Sequence, residues 1–483
     1  MKQIVKNFAS NASYQLFIII FPLLTMPYVA RVLGAEQLGV YNYTYSIAIY
    51  FALFVKLGAD HYGNRSIAKV GKDLEKRSQL FWEIFSVQLI NGLICILAYL
   101  ITVGFFVQTN KTVAYIQVFL IVSYMLDINW FFYGMERFNI VLIRNVLVKI
   151  STLIFIFLLV KKPEDIGMYT LILNLGTVVG FLVTWLQLRH YIQFKKVSIK
   201  NVLSHLKPTG VLFIPIVSAT IYTSFTSILL GSMSNMSNVG YYNAGSQILS
   251  MPKGIIAALG TVMLPKMAAS YSDKNLKKSA EKYLDLSLLF VTFLSVAFAF
   301  GILGIGKDFI PLFYGEGFEP SVSVLMILCL YLPFYSWGNV IRTQSLIPQG
   351  NDRPFVISVL LGAIVSIIVN LLLIKPFGVI GAAIGTFASE VVLASYQIIA
   401  ARHEINFKKF IQPLFFAIFS GGMMFGIIQL IPSHFSILVR LSLKVALGGL
   451  AYLLMIYLYI LYSKAPVVNV LKQTLKRDKQ KVN

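Results

Sequence analysis

A charge set deep in an apolar stretch is a functional candidate by default, because hydrocarbon offers it nothing. Lys253 follows Pro252 in the middle of one such stretch, and Arg342 lies deep in another. Arg144 and Lys149 stand five residues apart near the start of a third. These cations could receive an anion inside a water-filled cavity, Arg by paired hydrogen bonds and Lys as a point charge. Lys253 could instead pair with a neighbouring carboxylate. Arg31 closes the first apolar run, either as a cation at the outward mouth of a cavity or as an interfacial residue snorkelling to the surface. Asp127 and Glu390 lie within apolar runs, and Asp60 ends another beside His61. Asp127 and Glu390 each either hold a structural bond or carry a coupling proton; Asp60 with His61 reads first as a helix-end polar pair. No covalent chemistry suggests itself. His61, His190, His205, His403 and His434 all fall near run ends or in loops, no nucleophile, base and orienter can be assembled, and no metal-ligand cluster is visible.

The elements that must position these residues are membrane helices. The 483 residues are 57% hydrophobic and 12% charged, with a mean hydropathy of +0.76, far from the composition of a soluble domain. Cys95 and Cys329 both sit in apolar runs, which excludes a disulfide-stapled secreted fold. A spanning helix needs roughly 20 apolar residues. Runs of that kind predict about fourteen spans: 17–33, 40–57, 81–107, 113–133, 141–160, 166–188, 211–233, 239–264, 283–305, 322–346, 355–374, 379–400, 410–431 and 437–461. Pro22, Pro27, Pro215 and Pro252 interrupt them, as bending points or static kinks. The first run is too long for a signal-peptide core and is expected to remain as a helix.

The net charge of +22 would suggest nucleic acid in a soluble protein, but its placement reads as topology. Lys and Arg crowd alternate connections, from Lys56 to Arg77, from Arg189 to Lys207 and from Lys266 to Lys282, and fill the tail from Lys464 to Lys481. The opposite connections hold only Arg31, Lys111, Lys161, Lys162, Lys307, Lys375, Arg440 and Lys444. Both termini are therefore expected to be cytoplasmic, with the tail lying on anionic headgroups.

The chain also repeats itself. Gly39-Val40-Tyr41-Asn42 returns as Gly240-Tyr241-Tyr242-Asn243, an offset of 201 residues, at the start of the second and eighth spans. Two six-span units in the same orientation, followed by two extra helices, fit that offset. The expected division is a first lobe over 1–200, a second over 201–405, two additional helices over 406–463 and a basic tail over 464–483. Such duplicated halves suit a transporter whose lobes rock about a central site.

The run Pro22-Leu23-Leu24-Thr25-Met26-Pro27-Tyr28-Val29-Ala30-Arg31-Val32-Leu33-Gly34 resembles the opening of bacterial polysaccharide flippases. These oligosaccharide-lipid exporters belong to the superfamily that also holds multidrug exporters and the lipid II flippase. The likeness continues at Asp127-x-x-Trp130-x-x-x-Gly134-x-Glu136-x-Phe138, at Pro348-x-Gly350…Pro354 and at Phe377-Gly378-x-x-Gly381-Ala382-Ala383. The resemblance implies an all-α polytopic fold of two six-helix lobes around a central cavity, working by alternating access in the bacterial cytoplasmic membrane. It implies a substrate too: an oligosaccharide repeat unit on undecaprenyl pyrophosphate, carried from the inner to the outer leaflet for capsule, exopolysaccharide or an O-antigen-like glycan.

With that substrate in view, Arg31, Arg144, Lys149, Lys253 and Arg342 become candidate pyrophosphate contacts. Tyr41, Tyr45, Tyr241 and Tyr242 become candidate sugar contacts, with interface-belt residues as the alternative. No cofactor is expected beyond a coupling proton or sodium ion. The partners expected are the lipid-linked substrate, membrane lipids, a polysaccharide polymerase and glycosyltransferases, and no nucleic acid. The main alternative is an ion-coupled multidrug or metabolite exporter, whose cavity would be acidic where this one is expected to be cationic. A membrane enzyme is disfavoured: every outer connection is too short for a polymerase loop, and no histidine lies inside a span for an acyltransferase.

Overall fold

A computed structural model describes residues 2–71, 73–107, 110–402, 405–463 and 465–469. Lys72, His403, Lys464 and the tail from 470 onward lie outside the described residues, as do the side chains of Lys2, Lys6 and Pro215. All regular structure among the described residues is helical. Among the described residues, eleven helices are long and apolar enough to cross a membrane, or twelve if one bent pair counts as a single span. The fold is all-α and polytopic.

Contacts divide the chain into two compact units, Met1–Gly240 and Tyr241–Asn483. The first contains α1 (Lys2–Lys56), α2 (Ala59–Val70), α3 (Leu74–Phe106), α4 (Lys111–Ile116), α5 (Val118–Leu126), α6 (Asn129–Gly134), α7 (Phe138–Leu159), α8 (Ile166–Leu188), α9 (Ile199–Ser204) and α10 (Leu206–Met233). The second is built from most of α11 (Met236–Ser272), then α12 (Lys277–Tyr314), α13 (Pro320–Cys329), α14 (Leu332–Ile341), α15 (Arg353–Phe377), α16 (Val379–Ala400), α17 (Lys408–Gln429) and α18 (Ile437–Tyr462). Helix α10, which the repeat assigns to the second lobe, packs on α1 and α2 and falls in the first unit. A boundary set by duplicated sequence and one set by packing answer different questions.

The helices are apolar outside and partly polar inside, the reverse of a soluble bundle. On α7, Ile143, Leu147, Ile150, Ile154 and Leu158 are exposed at helical spacing, while Arg144 and Thr152 are buried. That arrangement suits a hydrocarbon solvent, in which only the protein interior can satisfy polar groups.

Breaks fall where the backbone demands glycine as much as where proline stands. The first two expected spans both lie in α1, separated at Gly34, whose φ of 73° and ψ of 173° suit a residue without Cβ. Pro22 and Pro27 stay inside the helical segment before it. Close approaches also require glycine. A Cβ on Gly39 would strike the carbonyl oxygen of Met236, and one on Gly240 would strike that of Ala35. Ala35 and Met236, like Gly39 and Gly240, differ by 201 positions, so the two collisions are reciprocal across the repeat offset. The Phe377-Gly378-x-x-Gly381 motif forms the hairpin between α15 and α16. Gly378 has φ 54°, and a Cβ on Gly381 would meet the carbonyl of Leu373.

The last two helices are fastened to α12. Lys409 pairs with Asp285 at one end, and at the other Arg440 Nη2 lies 2.6 Å and Lys444 Nζ 2.7 Å from the two oxygens of Asp308. Arg440 and Lys444, counted from sequence as outer-connection charges, are therefore members of an ion cluster. Between the two ends the Tyr452 hydroxyl donates to the carbonyl of Phe293 at 2.7 Å. Removing the shared acid should leave two cations facing each other in a largely buried place. Asp308→Asn is expected to destabilise the protein by about 3 kcal/mol, read as a lower melting temperature in detergent. Unchanged melting would show that the cluster does not hold α18.

Candidate functional site

Helix α1 ends at Lys56, and the chain reverses through Leu57 (φ 44°) and Gly58 (φ 82°), so that Asp60 opens α2 four residues on. The fourth expected span is not one helix. It runs as α4 and α5, and it breaks again at Asp127, which is extended (φ −73°, ψ 107°) before α6 resumes. A break inside a membrane leaves carbonyls without helical partners. Gln88 of α3 answers them, its amide donating to the carbonyls of Tyr124, Met125 and Asp127 at 2.9, 3.1 and 2.9 Å. Trp130 Nε1 in turn donates to Gln88 Oε1 at 3.2 Å, and Trp185 Nε1 to the Leu126 carbonyl at 2.9 Å. Trp130 packs over Gly63, where a Cβ would sit 2.5 Å from the ring, and Gly134 packs against Asn64 and Ile67 in the same way. The Asp127-x-x-Trp130-x-x-x-Gly134 motif is thus the mould of a broken span.

The break turns the Asp127 carboxylate toward Lys56. Lys56 Nζ lies 2.5 Å from Asp127 Oδ2 and 2.7 and 2.8 Å from the two oxygens of Asp60, with the Tyr124 ring 5.5 Å away. Asp127 Oδ1 also accepts from the Asn129 N–H at 2.9 Å. Asp60 and Asp127 are therefore brought together, as partners of one lysine. That lysine was counted from sequence with the basic connection beginning at 56. Its spacing of four from Asp60 was the available signal, but nothing local connects it to a residue 71 positions away.

Around this cluster lies a cavity of about 510 Å³, lined by Tyr41, Tyr45, Lys56, Asp60, Tyr124, Asp127, Lys149 and Asn174 among others. The Tyr41 and Tyr45 rings stack at 5.8 Å, and Tyr169 meets Tyr41 edge-on at 5.2 Å. Asn174 Nδ2 donates to Gln117 Oε1, whose own amide donates to Thr44. A second cavity of about 230 Å³ shares Lys149, Leu173, Thr177 and Phe181 with the first and adds Arg144 and Asn145. Arg144 donates to Thr184 Oγ1 at 2.9 Å and to Asn145 Oδ1, and lies 4.5 Å over the Phe181 ring. Lys149 lies 4.6 Å over the Phe21 ring, and among the described residues no carboxylate stands within ion-pair distance of it. Two acids, Asp60 and Asp127, share the larger cavity with two lysines, Lys56 and Lys149, and Arg144 lines the smaller cavity.

In the second unit, Lys253 Nζ lies 3.5 Å from Glu390 Oε1 and 3.5 Å from the Tyr331 hydroxyl, with the Tyr335 ring 4.6 Å away. Glu390 is 2% exposed, so the carboxylate is buried and its lysine is the wetter partner. Arg342 stacks 5.2 Å over Phe355 and opens a single π-helical turn, Arg342–Leu346, a local irregularity that recurs at functional sites. The tyrosines divide. Tyr41 and Tyr45 line the first-unit cavity, whereas Tyr242 is 4% exposed with its hydroxyl 2.8 Å from Thr386, a packing position rather than a presented ring. Tyr241 meets Phe318 edge-on. Arg31 is exposed, donates to the Pro27 carbonyl one turn back at 3.1 Å, and lines none of the three cavities described for this structure.

Known proteins resemble this chain. An Escherichia coli (strain K12) protein provisionally named an O-antigen transporter is 24% identical over 391 residues, covering 80% of this chain and 93% of that one. A Haloferax volcanii protein provisionally named a low-salt glycan biosynthesis flippase is 25% identical over 310 residues, covering 63% and 64%. These names describe transport rather than catalysis. Among solved structures, the lipid II flippase MurJ in an inward-closed conformation superposes with a TM-score of 0.79 at 18% identity, covering 93% of this chain and 98% of that one, a likeness of fold. The polysaccharide biosynthesis protein family matches residues 4–271, more than half of the chain, and this protein is a member of it.

Proposed function

We propose that this protein is a flippase that moves undecaprenyl-pyrophosphate-linked oligosaccharide repeat units from the inner to the outer leaflet of a bacterial cytoplasmic membrane. Alternating access would carry the cargo, with both termini cytoplasmic. Glycosyltransferases would build that cargo and a polymerase would extend it outside, for capsule, exopolysaccharide or an O-antigen-like glycan. Family membership supports a role in polysaccharide biosynthesis, and the provisional names of the curated relatives point to flipping rather than synthesis.

The observation that carries the reading is the first-unit cavity. A glycan cannot cross lipid unaided, since each hydroxyl stripped of water costs about 4–8 kcal/mol on a cyclohexane scale and an isolated charge costs far more. A chamber of about 510 Å³ lies within the roughly 300–1,000 Å³ of small-ligand sites. Its stacked Tyr41 and Tyr45 offer faces to a sugar, and Lys149 with Arg144 offers charge to a pyrophosphate. Lys253 and Arg342 would be the corresponding cations of the second unit.

One feature favours gradient coupling as part of the cycle, as the multidrug exporter alternative would also use. Lys56 is shared between Asp60 and Asp127, and a proton arriving on either acid would loosen its hold on the lysine. A proton or sodium gradient is the proposed energy source, and efflux assays of cationic drugs with an imposed gradient separate the two readings.

Three outcomes test the function. Deletion should leave lipid-linked repeat units trapped in the inner leaflet; normal surface glycan in a strain lacking any substitute flippase rejects the assignment. Lys149→Ala should lower export at least about tenfold, the loss of one charge-assisted contact, with folded protein unchanged by size-exclusion chromatography. Wild-type export from that variant would remove the cavity from the cargo path. Lys253→Ala, made also with Glu390→Gln so that no buried acid is stranded, and Arg342→Ala should each abolish export, and unaffected export would make both residues structural.

A further inference from the structure

On the outer surface of the first unit, α7 and α8 enclose a third space, a groove of about 440 Å³. Its lips are Leu147, Phe155, Val179 and Val183, each about half exposed. Its floor lies where the two helices come closest. A Cβ on Gly176 would stand 2.9 Å from Thr152 Oγ1, and one on Gly180 2.5 Å from Val148 Cγ2. Along α7 the groove reaches from Arg144 to Leu159, about 22 Å at the α-helical rise. That is long and narrow, the shape of one hydrocarbon chain.

An apolar groove on a membrane protein would by itself be ordinary lipid-facing surface. Here Arg144 is the one charged residue of the lining; it stands at one end and is 7% exposed. The same residue lines the 230 Å³ cavity, which shares Lys149, Thr177 and Phe181 with the lining of the 510 Å³ chamber. Groove, guanidinium and polar chamber therefore follow one another in series. A molecule complementary to that series has a long hydrocarbon chain, then a phosphate, then a polar head.

We propose that the α7–α8 groove seats the polyprenyl chain of the lipid carrier, with its phosphate on Arg144, so that the headgroup enters the first-unit chamber sideways from the bilayer. The identity of the headgroup rests on the flippase reading. The preference for a polyprenyl phosphate is a separate claim about the groove. Gly176 and Gly180 serve it by letting α7 and α8 approach until the groove has a floor, and Arg144 distinguishes this face from other lipid-facing surface such as the exposed Ile364, Ile368 and Leu372 of α15.

The test uses the full chain in nanodiscs of zwitterionic lipid and a polyprenyl phosphate bearing a diazirine on its hydrocarbon chain. Photolabel should fall on α7 and α8 peptides and be displaced by excess unlabelled polyprenyl phosphate but not by phosphatidylglycerol. Val179→Trp and Leu147→Trp fill the groove from its lips without touching the glycine contacts, and each should lower labelling at least about tenfold. Arg144→Gln should lower it by about the same factor, as expected for loss of a charge-assisted contact. Leu372→Trp, on the exposed face of α15, should change nothing. Labelling on other helices, labelling indifferent to all three groove variants, or equal displacement by phosphatidylglycerol overturns the proposal. Export separates the two claims: wild-type export with Val179→Trp rejects the groove alone, whereas normal surface glycan after gene deletion rejects the flippase reading.

Discussion

Hydrocarbon cannot hydrogen-bond, and the rest of this structure depends on that constraint. An unpaired Asp at the centre of a span costs about 2.5–3.5 kcal/mol on insertion scales, so the buried acids are answered by cations. Asp127 shares Lys56 with Asp60, Asp308 holds Arg440 and Lys444, Asp285 holds Lys409, and Glu390 faces Lys253. Two of these clusters, at Asp308 and Asp285, fasten α17 and α18 to α12 and have a structural explanation. The Lys56 cluster differs because it borders a chamber, and its desolvation is incomplete by design: Asp60 keeps 44% of its side chain exposed.

The same constraint explains how the helices are broken. An interrupted span is tolerable only where the freed carbonyls find donors, and at the α5–α6 break the single Gln88 amide reaches three of them, sharing its two N–H groups. The break then does what an intact helix could not, turning a backbone-anchored carboxylate into the space beside α1. In the second unit α13 and α14 meet at a bend of 42°, and the π-helical turn at Arg342 follows. In each unit one deep charge, Asp127 in the first and Arg342 in the second, stands at irregular backbone, because a regular helix places a side chain only where its pitch dictates.

Glycine does the complementary work. Without a large hydrophobic driving force between helices, close packing holds a membrane bundle together, and small residues permit it. The reciprocal contacts of Gly39 with Met236 and of Gly240 with Ala35 put the best-matched motif of the internal repeat at a backbone-to-backbone approach. That accounts for the glycine of Gly-x-Tyr-Asn in physical terms. Its tyrosines had different fates: Tyr41 reached a cavity wall, while Tyr242 was absorbed into packing against α16.

Hydrophobic run length determined much of this protein from the sequence alone. The fourteen expected runs fall on helical segments, the fourth and tenth of them broken, because a stretch of some 20 apolar residues favours helix in lipid. Eleven or twelve helices among the described residues are long and apolar enough to cross. Deep charge could likewise be recognised as meaningful from composition, as with Lys253, Glu390, Asp127 and Arg144. Their partners were not legible. Lys56 looked like one more basic residue at a span end, and Arg440 and Lys444 looked like the modest charge of an outer connection. Tertiary structure decided all three, since an ion pair between residues 71 or 132 positions apart depends on which helices touch and at what height. Local periodicity carries no record of that, whereas the cost of leaving a charge unanswered in lipid makes the choice of partner decisive once the helices have packed.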